Sequence, residues 1–187
     1  MILGITGTNG AGKGAVVEYL VSQKNFTHYS VRDLIVEEVL NRGIELNRTN
    51  IGNTGTDMRA KNSPPYFVET LLARANDRKS ERVVIESIRT VEEAKFLQKE
   101  GGQILAIDAP LPVRFKRIIE RGTSTDNVTL EEFRAQEDSE YTSKDPNDPN
   151  QMSVLAVMKE ADFIVNNDDS LEKLHAKIES VLENYIS

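Results

Sequence analysis

Ile2-Leu3-Gly4-Ile5-Thr6-Gly7-Thr8-Asn9-Gly10-Ala11-Gly12-Lys13 is the stretch that decides the fold of this 187-residue chain. A short apolar run leads directly into the spacing G-x-x-x-x-G-K, and an amphipathic segment follows it. Strand, glycine-rich loop and helix in that order form a phosphate-binding loop. Glycines allow the tight turn that aims successive backbone N–H groups at one point, where a polyphosphate can sit. The helix opening near Gly12 adds its positive end, and Lys13 adds a mobile cation. These residues predict a site for a nucleoside triphosphate built from Gly7, Asn9, Gly10, Ala11, Gly12, Lys13, Gly14 and Ala15.

The same alternation runs on downstream. Val83-Val84-Ile85, Ile104 to Ile107 and Phe163-Ile164-Val165 are continuously apolar. Strands of that kind suit a parallel sheet covered on both faces. Phe26 to Ser30 is mixed and reads as an edge strand. Between the runs, Val16, Val17, Leu20 and Val21 share a helical face, as do Val31, Leu34, Ile35 and Val39. Val68, Leu71, Leu72 and Ala75 form a third stripe, and Leu171, Leu174, Ile178, Val181 and Leu182 a fourth. The expectation is a three-layer α/β/α fold in a single domain over residues 1–187. Two regions exceed what simple crossovers need: one from about residue 31 to 80, the other from about 121 to 150. Gly52 and Gly55 interrupt the first and predict a short or mobile helical piece between Arg48 and Lys61. Asp145-Pro146-Asn147-Asp148-Pro149-Asn150 marks turns in the second. Such insertions are expected to cover an acceptor and to close over a donor.

Composition narrows the partners. A net charge of −7 argues against nucleic acid or an anionic membrane as partner, and leaves a small molecule. With no cysteine, thiolate metal sites and disulfides are excluded. The opening apolar run is too short for a signal peptide and no segment reads as a membrane span, which points to a cytoplasmic protein. The sequons at Asn25, Asn47 and Asn127 are then chance matches. Composition leaves monomer and homodimer both open.

Several charged residues can serve phosphate chemistry. Glu86 ends the third apolar run beside the loop, where an acid can orient magnesium through water, or simply cap the next helix. Asp33, in the first turn after the second strand, offers a second such carboxylate or a contact to the acceptor, or merely complements a helix dipole. Arg89 follows Glu86 closely, and Arg114, Arg117 and Arg121 share one helical face, where they either offset transferring charge or form a solvated stripe. Arg134 sits among acids and reads equally as surface. Arg59, then Arg32, with Arg48 nearby, either grip an acceptor phosphate or are surface arginines. His28 and His175 have no metal-like spacing.

Gly12-Lys13-Gly14 is the loop form of adenylate kinase and its relatives, in which a Thr follows; Ala15 departs from it and removes a hydroxyl that could serve magnesium. Val83 to Arg89, Ala106 to Pro110 with Arg114 and Arg117, and Ala161 to Asn167 with Ser170-Leu171 extend the likeness. Together these segments resemble the P-loop nucleoside monophosphate kinases, adenylate-kinase-related proteins in particular. The closing segment is similar to that of dephospho-CoA kinase, where the loop after the strand, here at Asn166, lies near adenine. The resemblance implies a five-stranded parallel sheet in the order 2-3-1-4-5, a lid, and ATP with magnesium as cofactors. It implies phosphorylation of a nucleoside monophosphate or similar nucleotide. Dephospho-CoA kinase activity is the alternative, as is a non-catalytic ATP-binding regulatory module, which the missing hydroxyls at Gly14 and Ala15 would suit.

Overall fold

The computed structural model describes residues 1–123, 128–141, 145 and 147–186. Five strands, β1 (Ile2–Gly7), β2 (Thr27–Ser30), β3 (Val83–Glu86), β4 (Gln103–Asp108) and β5 (Phe163–Asn166), form one parallel sheet in the order β2-β3-β1-β4-β5. Its central strand pairs Ile2 with Val83 on one side and Leu3 with Gln103 on the other. The fold is a three-layer α/β/α architecture, with the sheet order that the resemblance implies.

Continuous apolar strands need cover on both faces, and two separate clusters supply it. One face packs α2 (Val31–Asn41), α3 (Arg48–Lys61), α4 (Tyr66–Asp77) and α5 (Val91–Lys99) onto Val83, Ile85 and Ile104. The other packs α1 (Lys13–Lys24) and α9 (Leu171–Ile186) onto Leu3, Ile5, Leu105 and Ile107. Three further helices, α6 (Leu111–Arg121), α7 (Leu130–Tyr141) and α8 (Val154–Lys159), complete the described chain. Among the described residues no helix is long and apolar enough to cross a membrane.

Periodicity overstated burial at three places. Val21 is 42% exposed, Ile164 63% and Leu171 53%. Ile164 lies on β5, an edge strand, and Leu171 opens its helix before the packed stripe begins. The segment between Arg48 and Lys61 is not a short piece but a fourteen-residue helix. Asn47 caps it by accepting the Asn50 N–H at 2.9 Å, and Ile51, Thr54, Gly55 and Arg59 are buried on it. Its buried face holds a glycine, a threonine and an arginine, so no apolar stripe announces it. Of the region about 121–150, residues 124–127, 142–144 and 146 lie outside the described residues, and with them the Asn127 sequon.

Candidate functional site: an arginine-lined cleft at the phosphate loop

The loop between β1 and α1 takes a shape only glycine tolerates. Gly7 has φ +128°, and a Cβ there would stand 1.9 Å from the Ile107 carbonyl oxygen of the neighbouring strand. Gly12, at φ +97°, caps α1 without any side-chain hydrogen bond, and its carbonyl accepts the Ala15 and Val16 N–H groups at 3.1 and 3.3 Å. A Cβ on Gly12 would stand 2.3 Å from Asn167 Nδ2. Lys13 folds back over the loop, its Nζ donating to the carbonyls of Gly7 (2.9 Å) and Thr8 (2.7 Å).

The loop is braced from behind. Asn167 donates from Nδ2 to the Ala11 carbonyl at 2.7 Å, and Arg117 donates to the Asn167 carbonyl at 2.9 Å. Thr8 Oγ1 donates to Asp108 Oδ1 at 2.7 Å. Arg114 is buried; it donates to the carbonyls of Ala109 (2.7 Å) and Asn9 (3.3 Å) and pairs with Glu137, while its Nη1 also donates to Tyr141 at 2.9 Å. Arg114 therefore ties α7 to the loop and does not belong to a solvated or phosphate-facing stripe, because a buried guanidinium requires a carboxylate partner. A one-dimensional spacing could not separate it from Arg117 and Arg121.

In front of the loop opens a cavity of about 410 Å³. Asn9, Gly10, Gly12, Lys13 and Gly14 line one part of it; Arg32, Arg48, Arg59, Arg89 and Arg121 line the rest, with Val31, Ile35, Leu46, Ile51 and Met152 as apolar wall. Among the described residues Glu86 is the one acid in that lining. In a chain of net charge −7 this local excess of cations suits an anion.

Glu86 ends β3 and its Oε2 lies 3.1 Å from His28 Nε2 on β2. That hydrogen bond holds the Glu86 carboxyl below its usual range; burial opposes the shift, and the charges of His28, Lys13 and Arg89 assist it. His28 is the partner that sequence reasoning missed, since it is 58 residues away and visible only through strand pairing. Ser87, next in the chain, is buried at φ +72°, a strained non-glycine geometry of the kind found at functional sites.

Arg59 is 1% exposed. Its Nε and Nη2 each lie 2.8 Å from Glu93 Oε1, and its guanidinium stands 4.8 Å from the Phe67 ring centroid. Glu93 Oε2 in turn accepts the N–H groups of Arg89 (3.1 Å) and Thr90 (3.3 Å), closing a capping box at the start of α5. Arg59 Nη1 has no hydrogen-bond acceptor among the described residues.

The remaining expected residues are not in the cavity lining. Asp33 is exposed in the first turn of α2, where its N–H donates to Ser30 Oγ at 3.2 Å. Asn166 accepts from Lys177 Nζ at 2.6 Å at the surface; its neighbour Asn167 is the residue that touches the loop. Ala15 packs into the core cluster behind the loop, and Arg134 is exposed on α7. Gly7, Ala11 and Arg117 support the loop from outside the lining.

Residues 3–143 match the protein family described as the AAA domain. The UPF0200 protein of Methanococcus vannielii is 29% identical over 188 residues, covering 99% of this chain and 96% of its own length. That of Thermococcus gammatolerans is 27% identical over 192 residues, covering 100% and 96%. Among solved structures, shikimate kinase from Aquifex aeolicus vf5 superposes with a TM-score of 0.58 at 19% identity, covering 98% and 97%. Shikimate kinase from Acinetobacter baumannii, in complex with shikimate, gives 0.62 at 15%, covering 100% and 95%. At these identities the structures share the fold.

Proposed function

The chain belongs to the AAA domain family, and on that premise we propose that it is an ATP-dependent phosphotransferase acting on a nucleoside monophosphate or similar nucleotide. The observation that carries this reading is a single cleft with a phosphate loop at one part and a buried, unsatisfied arginine at another. In this reading the amides of Gly10, Gly12 and Gly14 and the Lys13 ammonium hold the donor triphosphate. Arg89 and Arg121 face the same space and offset charge developing on the transferred group. Arg117 holds the loop through Asn167 and acts as a positioning residue. Arg59 receives the acceptor phosphate, with Arg32 and Arg48 beside it.

Magnesium fits this donor set in one way. Among the described residues no three His, Asp or Glu side chains cluster as metal ligands, and Gly14 brings no hydroxyl. Glu86, kept ionised and partly exposed in the cleft, can hold through water an ion that arrives with the nucleotide. When bound there, such an ion would neutralise phosphate charge. Asp33 lies outside the lining and is the weaker candidate.

The residues favour an acceptor that is already a phosphate. A monophosphate has a second pKa of about 6 and is largely a dianion at neutral pH, so it needs positioning and no base. A hydroxyl acceptor, as in dephospho-CoA or shikimate, needs a general base as well; in this reading Glu86, the one acid among the described lining residues, serves the metal, and Asp33 lies outside the lining. Residues about 31–80 would form the acceptor region and about 121–150 the lid of one domain. The test is ADP release from Mg-ATP by the purified protein with each nucleoside monophosphate, dephospho-CoA or shikimate. Stimulation by a monophosphate, lost in Lys13→Met, supports the reading. ATP binding without acceptor-dependent ADP would replace it by a regulatory ATP-binding module, which the absent hydroxyls at Gly14 and Ala15 would favour.

A further inference from the structure

Helix α3 carries two glycines in its interior, each of which weakens a helix relative to alanine. Gly55 has a packing reason. A Cβ there would stand 3.0 Å from Ile35 Cδ1 and 3.4 Å from Arg59 Nη1, so its absence lets α2 and the buried guanidinium close up. Gly52 has none. A Cβ at Gly52 would meet only Met152 Cε, at 3.2 Å, the movable end of an unbranched side chain. The fold could therefore accept alanine at this position, and the bare backbone serves the space in front of it, which is the cleft.

That space has the character of a ring-binding subsite. Ile51, one residue before Gly52, and Ile35 supply apolar wall. Arg59, seven residues along the same helix, offers an unsatisfied Nη1 from a fully buried guanidinium. Met152 rests over Gly52, and its backbone is fixed by the following Ser153 N–H donating to the Arg89 carbonyl at 2.9 Å. The approach is too close to admit a ring, but the methionine side chain can swing aside and then pack its thioether on a flat aromatic face. Building on the phosphotransferase reading, we propose that Gly52 and Met152 form the slot for the planar base of the acceptor. Gly52 then sets acceptor specificity: the base lies on its bare backbone, Met152 covers the base, and Arg59 takes the phosphate.

Calorimetric titration of the full chain with AMP, GMP, CMP, UMP and ribose 5-phosphate tests this without requiring turnover. Ribose 5-phosphate presents the same phosphate without a base. At least one monophosphate should bind the wild type more tightly than ribose 5-phosphate does. Gly52→Ala should weaken that monophosphate about tenfold, the scale of a single methyl's misfit in a pocket, and leave ribose 5-phosphate unchanged. The thermal midpoint of Gly52→Ala should not fall, which separates lost recognition from lost folding. Equal weakening of ribose 5-phosphate, unaltered monophosphate binding, or a wild type that prefers no monophosphate over ribose 5-phosphate would each overturn the slot. Failure of the phosphotransferase reading appears separately, as absent acceptor-dependent ADP release by the wild type.

Discussion

Arg59→Met should destabilise the protein far more than an ordinary arginine substitution. Arg59 is 1% exposed and Glu93 0%, and they meet at 2.8 Å. Removing the guanidinium leaves the Glu93 carboxylate buried with only the N–H groups of Arg89 and Thr90, at 3.1 and 3.3 Å. Breaking one side of such a pair costs about 3–5 kcal/mol. For a domain of this size that corresponds to a fall of about 6–20 °C in thermal midpoint. Adding Glu93→Gln removes the uncompensated charge while keeping an oxygen for the capping box, so the double variant should be more stable than Arg59→Met alone. Urea unfolding followed by circular dichroism at neutral pH measures all three. An Arg59→Met within about 1 kcal/mol of wild type, or a double variant less stable than the single one, would refute the idea of a carboxylate-locked guanidinium.

Lys13→Met should retain the fold and lose acceptor-dependent ADP release together with heat protection by Mg-ATP; protection equal to wild type would remove Lys13 from the site. Gly7→Ala should lose about 3 kcal/mol or more, combining a strained φ with a clash against the Ile107 carbonyl; a thermal midpoint matching wild type would contradict the loop geometry. His28→Gln bears on acid stability. Because the folded Glu86 carboxyl is held low, its contribution is present above the unfolded pKa of about 4.3 and fades as pH falls through the folded value. Wild type should therefore lose stability more steeply on acidification below about pH 5 than His28→Gln does, as read from urea midpoints; parallel curves would show that the hydrogen bond does not hold Glu86 down.

The sheet was legible because buried parallel strands must be apolar without interruption, and the runs at Ile2, Val83, Ile104 and Phe163 had that form. The loop was legible because its geometry restricts residue type: only glycine fits at Gly7 beside the Ile107 carbonyl. Helix α3 was hard to read because it packs through Gly55 and Arg59 rather than an apolar stripe. Roles fixed by partners distant in sequence were not legible at all. Arg59 meets Glu93 across 34 residues, and Arg114 meets Glu137 across 23. Both are arginines in regions where spacing suggested phosphate contacts; Arg59 lines the cleft, while Arg114 braces the loop. Asn166 and Asn167 show the limit of resolution: strand alternation and chain path decide which one reaches the loop, and one residue separates a surface position from a buried hydrogen bond to Ala11.

A crystal structure with magnesium and a non-hydrolysable ATP analogue shows whether the loop grips the triphosphate. The triphosphate should wrap onto the amides of residues 10–14, with Lys13 Nζ moved from the Gly7 and Thr8 carbonyls onto phosphate oxygens and the terminal phosphate facing Arg89 and Arg121. A triphosphate bound elsewhere, or a Lys13 still closed on its own loop with nucleotide present, would contradict the account.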